Sequence, residues 1–576
     1  MNFIRKKLIL FSLKETVVQV GVFGLFFLPL LYIWMGVPFF INKDLAYVAL
    51  GGVIPYSDAT GYYTGAELFL RIGELNSWNI RRPLNALLFA LRLKISGESF
   101  QMALLIQTAL CGLGTVFFLR TVSKIIGIRG AFISIFICFL WAFSYIPTLL
   151  SEPLGFFLGL LAITLLIESI YLEKISLFTI GVFVLTVGLN ARAGPFLILL
   201  FLFLWMTFSP FFKKRKNWLL ALGVGIILGF LYTKVLLLLY AASDAGGQMN
   251  SNFSSILYGL ARGGLPWTIE YKALEGLGLT TENDQAIWLY KESLRLILEN
   301  PFNFIKALLL NLGHFSKFFL NIKYIKGFAA SSFDQISFIG LPFLLYYYFL
   351  SYKSFRRSSE YTKKLNQLAL MGGLGCFFSA AFTFDSAGIR TFAVGIPFIS
   401  LLLAMPFFQS SEVSKKIISN SSCMSSFSLL FLTASLILPS FLVKKDQNFL
   451  NKAAFSQNIL HTLDEKIIQV CHLENYPFLN IETKRSSIAY PSISPKRFKK
   501  VTNRDFPIRN DLQNLALEAP CSLGLIFDEL AHQFFLIAGP LGWFNLGKEK
   551  ETQTLLLKQK RGFDNIYFVQ KVFKED

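Results

Sequence analysis

Continuous apolar runs of about 20 residues recur along this chain, and no other feature restricts its folding as strongly. A helix needs about 20 apolar residues to cross a hydrocarbon layer roughly 30 Å thick. The segments 17–37 (VVQVGVFGLFFLPLLYIWMGV), 153–172 and 217–240 each supply such a run. With 100–121, 130–147, 175–190, 195–212, 334–352, 365–384, 389–408 and 425–443 there are about eleven. At 54% hydrophobic and 16% charged over 576 residues, the composition lies outside that of ordinary soluble domains. A membrane barrel would alternate polar and apolar positions, which these runs do not, and backbone groups in lipid must be paired within their own segment. The expected fold is an all-α polytopic membrane domain over 1–443, with external amphipathic helices, followed by a second domain over 444–576.

Lysines and arginines in short loops stay on the cytoplasmic side during insertion. Arg5, Lys6 and Lys7 precede the first run, Lys124 and Arg129 separate the second from the third, and Lys213, Lys214, Arg215 and Lys216 follow the sixth. Lys353, Arg356, Arg357, Lys363 and Lys364 form a further cluster, with Lys415 and Lys416 last. All fall on one side provided that two other apolar stretches, 83–96 and 302–322, lie along the membrane. The first is short for a span and carries Arg92 and Lys94; the second is interrupted by Asn311, Gly313, His314 and Lys317. The N-terminus is then cytoplasmic and the C-terminal domain extracytoplasmic. This topology accounts for much of the +20 formal charge, so nucleic acid is not an expected partner. Residues 1–16 look like a signal-peptide n-region, but the run that follows lacks a small-residue cleavage site and predicts an uncleaved first span.

The charged residues outside these loops gather on the opposite side. The 38–99 loop contains Asp58, Glu67, Arg71, Glu74, Arg81 and Arg82; Ser151 and Glu152 open the fourth run; Arg192 ends the fifth in NARAGP. Arg262 lies in LYGLARGG, and Asp385 and Arg390 in FTFDSAGIRTF. Ionisable groups are costly beside lipid, so a one-sided set marks a candidate site. A carboxylate can accept or orient a hydroxyl proton, and guanidinium groups hold phosphate through paired, charge-assisted hydrogen bonds. Each residue also has a plainer reading: Asp58 as a turn former, Glu152 as an acid favoured at a helix start, and the arginines as interfacial anchors.

The first loop reads YSDATGYYTGAELF, then come Arg81-Arg82-Pro83, LNALLFALRLKISG and Glu98-Ser99, and Glu152-Pro153 opens the fourth run. In this order of parts the chain resembles the polyprenyl-phosphate-dependent membrane glycosyltransferases of the GT-C fold class, which include protein mannosyltransferases and the aminoarabinose transferase of lipid A. The resemblance covers roughly residues 15–410 and is closest over 55–160. It implies Asp58 as the catalytic base or its orienter and Glu152 as the second acidic residue. It further implies Arg82, with Arg192 and Arg390, on the lipid phosphate; Arg81 is a further lipid-phosphate candidate, and Tyr62, Arg262 and Asp385 are the substrate-binding candidates. Many relatives carry two adjacent acidic residues in the first loop, whereas Asp58 stands between Ser57 and Ala59. A carboxylate pair would be the natural ligand set for a divalent cation, so no metal and no tightly bound cofactor are expected.

The expected reaction is transfer of a sugar from a polyprenyl-phosphate donor to a protein, lipid or glycan acceptor at the extracytoplasmic face. Direct displacement would invert the anomeric centre, since nothing in the sequence points to a nucleophilic carboxylate. A lipid-linked polysaccharide polymerase or ligase and an envelope-precursor transporter are the alternatives. A transporter would want polar groups near the membrane midplane instead of at one face. The plasma (inner) membrane is the expected location, the terminal VFKED carrying no retrieval signal.

Residues 444–576 carry more charge, Pro477, Pro491, Pro495 and Pro507, and no spanning run. The alternating TLLLKQKRG and NIYFVQKV, with a helix-like 511–518, predict a small α+β domain that binds acceptor or caps the membrane site. His461, His472 and His532 lack the spacing of a metal cluster. Cys111, Cys138 and Cys376 fall inside apolar runs, whereas Cys471 and Cys521 lie outside and could pair in an oxidising compartment.

Overall fold

The computed structural model describes residues 16–34, 48–49, 54–55, 58–75, 77–97, 100–212, 214–242, 251–279, 282–320, 360–384, 388–405 and 421–443, together with strand residues between 461 and 574. The first apolar stretch, Thr16–Leu31, continues into α1 (Leu28–Trp34). A hairpin of β1 (Val48–Ala49) and β2 (Ile54–Pro55) precedes three helices, α2 (Asp58–Ile72), α3 (Ser77–Ile80) and α4 (Pro83–Ile95). Then follow α5 (Phe100–Tyr145), α6 (Ser151–Leu172), α7 (Ile175–Ala191), α8 (Ile198–Phe208) and α9 (Arg215–Tyr240). A group of four comes next: α10 (Ser251–Ala261), α11 (Ile269–Leu274), α12 (Glu282–Glu299) and α13 (Pro301–Leu320). The helical part closes with α14 (Glu360–Thr383), a 3-10 helix (Gly388–Gly395), α15 (Ile396–Ala404) and α16 (Ser421–Leu442).

Among the described residues five helices are long and apolar enough to cross a membrane: Gln101–Tyr145, Ser151–Leu172, Arg215–Tyr240, Glu360–Thr383 and Met424–Leu442. The first of these holds two of the runs drawn from the sequence. At Gly127 the backbone takes φ 81° and ψ 163°, breaking α5 between Lys124 and Arg129. The runs at 17–37, 175–190, 195–212 and 389–408 correspond to shorter apolar helices, and 334–352 lies outside the described residues. The run at 389–408 is not one α-helix: it starts as the 3-10 turn, and Pro397 in the first turn of α15 suits a new helix start.

At the centre stands α6. It is apolar around its whole circumference, which suits a helix enclosed by others, and all but its last residue are buried. Its 22 residues give a length of about 33 Å. Glu173, in the left-handed conformation at φ 55°, caps it and turns the chain into α7, so the start of α6 and the end of α7 share one end of the hairpin. The opposite end is the basic one. There Lys364 of α14 pairs with Glu173 at 3.4 Å and Glu360 at 3.1 Å, and the Thr121 hydroxyl donates to the buried Glu168 at 2.9 Å.

The stretch expected to lie on the membrane as an amphipathic helix at 83–96 is instead enclosed by protein. In α4, Pro83 to Ala90, Arg92 and Leu93 are buried, and the helix packs against α2, α5, α9 and α16. The surface reading rested on the stretch's short length and on Arg92 and Lys94, but the Arg92 charge is accommodated inside: Nε donates to Leu88 O at 3.2 Å, a terminal nitrogen donates to Gln107, and the guanidinium lies 5.3 Å from the Phe89 ring centroid. The other such stretch, as α13, buries Ala307, Asn311 and Phe315 along one side among its described side chains, with Asn311 Nδ2 donating to Ala381 O of α14 at 3.1 Å. Phe302, Ile305 and Leu309 face outward. Spin labels at these three positions in reconstituted protein are expected to be reached by oxygen more readily than by a water-soluble nickel chelate, and equal access by both reagents would show that the face meets water.

Between 461 and 574 the described residues form one six-stranded sheet of β3 (His461–Thr462), β4 (Glu465–Cys471), β5 (Cys521–Asp528), β6 (Gln533–Pro540), β7 (Thr552–Gln559) and β8 (Ile566–Lys574). The order is β3-β4-β7-β8-β6-β5, antiparallel except for β6 beside β8. The helix expected at 511–518 lies outside the described residues, as do His472 and His532. Cys471 and Cys521 sit on β4 and β5, four strand positions apart. At about 4.8 Å per strand their backbones are some 19 Å apart, whereas bridged Cα atoms lie within about 7 Å. This sheet therefore does not permit the disulfide considered from the sequence.

Candidate active site

Five charged side chains that the sequence marked separately meet at the end of the hairpin opposite the basic cluster. Glu152 stands in the first turn of α6 and Arg192 immediately follows α7, and their ion pair spans 2.9 Å. Arg390, on the 3-10 helix, reaches both carboxylates: Nη2 lies 3.0 Å from Asp58 Oδ2 and Nε 3.3 Å from Glu152 Oε1. Arg82 donates to the Tyr62 hydroxyl at 2.7 Å and to Ser151 Oγ at 3.3 Å, and Ser151 Oγ lies 3.4 Å from Glu152 Oε2.

Local sequence explains how these groups converge. Asp58 opens α2, where a carboxylate is favoured by the helix dipole. One turn later Tyr62 meets Arg82 because α3 is locked onto α2. Asn79 Nδ2 donates to Gly61 O at 3.0 Å and occupies the notch at Gly65, where a Cβ would fall 1.7 Å from that nitrogen. The 3-10 helix approaches α6 closely for a similar reason: a Cβ at Gly159 would lie 2.4 Å from Val394 O. Gly159→Ala is therefore expected to push this segment, and Arg390 with it, off α6. The expected outcome is a loss of about 1–3 kcal/mol in unfolding free energy measured in detergent, accompanied by reduced activity.

Exposure separates the two carboxylates. The Glu152 side chain is 1% exposed, whereas that of Asp58 is 35% exposed and that of Arg390 14%. Asp58 is thus the acid within reach of an incoming molecule, and Glu152 a buried counterion between two guanidinium groups. Arg192 Nε is buried without a hydrogen-bond acceptor. Three guanidinium groups against two carboxylates leave an excess positive charge. Burial by itself would lower the Arg82 pKa, but nearby Tyr62, Glu152 and Asp58 outweigh it and hold the guanidinium above the ordinary arginine value. Chemically, the arrangement can receive an anion next to an accessible carboxylate.

The remaining sequence candidates fall elsewhere. Arg81 is half-buried on the turn before α4. Arg262 does not join the cluster: its Nε and Nη2 donate to the Tyr258 hydroxyl at 3.1 and 2.9 Å, at the end of α10. Asp385 lies outside the described residues. Ser151 had been noted only as a neighbour of Glu152, and its hydroxyl links that acid to Arg82. Asn79, Gly65 and Gly159 carried no signal in the sequence, since their roles depend on what packs against them.

No family model matches the chain, and no curated protein does. A solved structure that matches is that of an oligosaccharyltransferase from Archaeoglobus fulgidus in complex with zinc and sulfate, at 12% identity and a TM-score of 0.35. The match covers 76% of this chain and 55% of that protein, so the chain spans about half the length of the structure it matches.

Proposed function

We propose that this chain is a membrane glycosyltransferase that moves a sugar from a polyprenyl-phosphate donor to an acceptor hydroxyl by direct, inverting displacement at the extracytoplasmic face of the plasma (inner) membrane. The observation that carries the reading is the double engagement of Arg390, which ties the accessible Asp58 to the buried Glu152. In this reading Asp58 accepts the acceptor's proton while Arg82 and Arg390 take the charge developing on the leaving phosphate. Glu152 holds Arg192 and Arg390 in place before any ligand arrives, so that little reorganisation accompanies the reaction. Tyr62 fixes Arg82 and borders the substrate. The excess positive charge suits a phosphate monoanion, and a prenyl chain would lie in the surrounding lipid. The C-terminal segment serves the acceptor, whether protein, lipid or glycan.

The test uses membranes containing the full chain, a panel of radiolabelled polyprenyl-phosphate sugars, and analysis of the product's anomeric configuration. Transfer from at least one donor with inversion is the expected result, and EDTA is expected to leave the rate unchanged because arginine already neutralises both carboxylates. Retention of configuration would overturn direct displacement, and absence of transfer from every donor would overturn the function.

A further inference from the structure

A second buried polar junction is built from Arg92, Gln107 and two backbone carbonyls. Gln107, on α5, is 4% exposed, and its amide is fully engaged. Its oxygen accepts from a terminal nitrogen of Arg92, and its nitrogen donates to Ile146 O at 2.8 Å and Thr148 O at 3.0 Å. Those two carbonyls belong to the turn that ends α5 and leads, through the buried Leu149 and Leu150, into Ser151 and Glu152. Arg92 comes from α4, the helix whose N-terminal neighbour is Arg82. The helix that carries Arg82 and the turn that carries Glu152 are thus joined twice, at Ser151 and again through Gln107.

Arg92 also explains why Gln107 points as it does. An amide side chain has one acceptor end and one donor end, and two backbone carbonyls can be satisfied only by the donor end. Arginine has no acceptor, so Arg92 can face only the amide oxygen, which turns the nitrogen toward Ile146 and Thr148. A guanidinium buried at 6% exposure with a neutral partner is an expensive way to hold a helix in place, and an apolar contact would serve packing alone.

We infer that Gln107 is a positioning residue of the active site: oriented by Arg92, it fixes the turn at Ile146–Thr148 and so sets where Glu152 holds Arg192 and Arg390. The inference rests on the glycosyltransferase reading for its kinetic consequence, but its geometric part is measurable without turnover. In the full chain, Gln107→Glu keeps the volume and the contact with Arg92 while removing both donors. Hydrogen exchange at the amides of residues 149–152 and 154 is expected to rise by at least tenfold, with exchange in α8 unchanged. With whichever polyprenyl-phosphate sugar the wild type accepts, kcat is expected to fall roughly 10- to 100-fold at little-changed KM, the size of effect produced by a small misplacement of catalytic groups. Arg92→Leu, which frees the amide to flip, is expected to give the same pattern, and Arg92→Lys to restore part of the rate.

Unchanged exchange at these amides in a folded Gln107→Glu protein overturns the inference whatever the activity. A lower unfolding temperature with kcat intact also overturns it, reducing the junction to packing. Should the wild type transfer no sugar while exchange rises as expected, the glycosyltransferase reading fails and the geometric role of Gln107 stands.

Discussion

Asp58→Asn is expected to lower sugar transfer about 10²- to 10⁴-fold, the range associated with loss of a positioned proton acceptor. The substitution is nearly isosteric, and an asparagine oxygen still accepts from Arg390, so the cluster should keep its shape. Asp58 is partly exposed, and removing its charge should cost under about 1 kcal/mol of stability. The informative comparison is therefore rate against folded amount, measured on the same membranes. A rate within about threefold of wild type would remove Asp58 from the chemistry and leave it as a counterion for Arg390.

Glu152→Ala should behave in the opposite way, striking the fold first. Its carboxylate is buried between Arg192 at 2.9 Å and Arg390 at 3.3 Å. Removing it strands the Arg192 guanidinium away from water and leaves Arg390 with Asp58 alone, and breaking such a buried pair typically costs about 3–5 kcal/mol. Unfolding measured in detergent is expected to show a loss of that size together with loss of transfer. Adding Arg192→Met should recover part of the stability but not the rate, because Arg390 then keeps Asp58 but has lost the buried carboxylate that fixed its position. If Glu152→Ala unfolds like the wild type, the ion pairs contribute little and Glu152 is not the element that organises the cluster.

These two expectations show which parts of the molecule the amino-acid order reveals. Charged residues are rare next to apolar runs, so Asp58, Glu152, Arg192 and Arg390 stood out individually, and the structure brings all four together. The same logic failed for Arg92, because a buried arginine and an interfacial one look alike when only their neighbours in the chain are known. Arg262 stood out in the same way but lies apart from these four, with Tyr258 one helical turn away as its partner. Gln107 was invisible: a single polar residue in an apolar run carries no period and no motif, and its meaning comes from carbonyls roughly forty positions further on. The 3-10 start at Gly388–Gly395 was hidden as well, since apolarity alone does not distinguish a tight helix from an ordinary one.

The separation of Asp58 from Arg390 has a consequence for synthesis. The two residues lie 332 positions apart. At a synthesis rate of about 5–20 residues per second, roughly 20 to 70 s pass between them. Glu152 and Arg192, on one hairpin, can find each other long before that. A nascent chain emerging into the bilayer thus carries its buried ion pair early but gains the arginine that ties Asp58 to it only near the end of helical insertion. Chains interrupted before Arg390 should accumulate as inserted fragments that lack the tie to Asp58, so synthesis past that arginine becomes the event that completes the cluster.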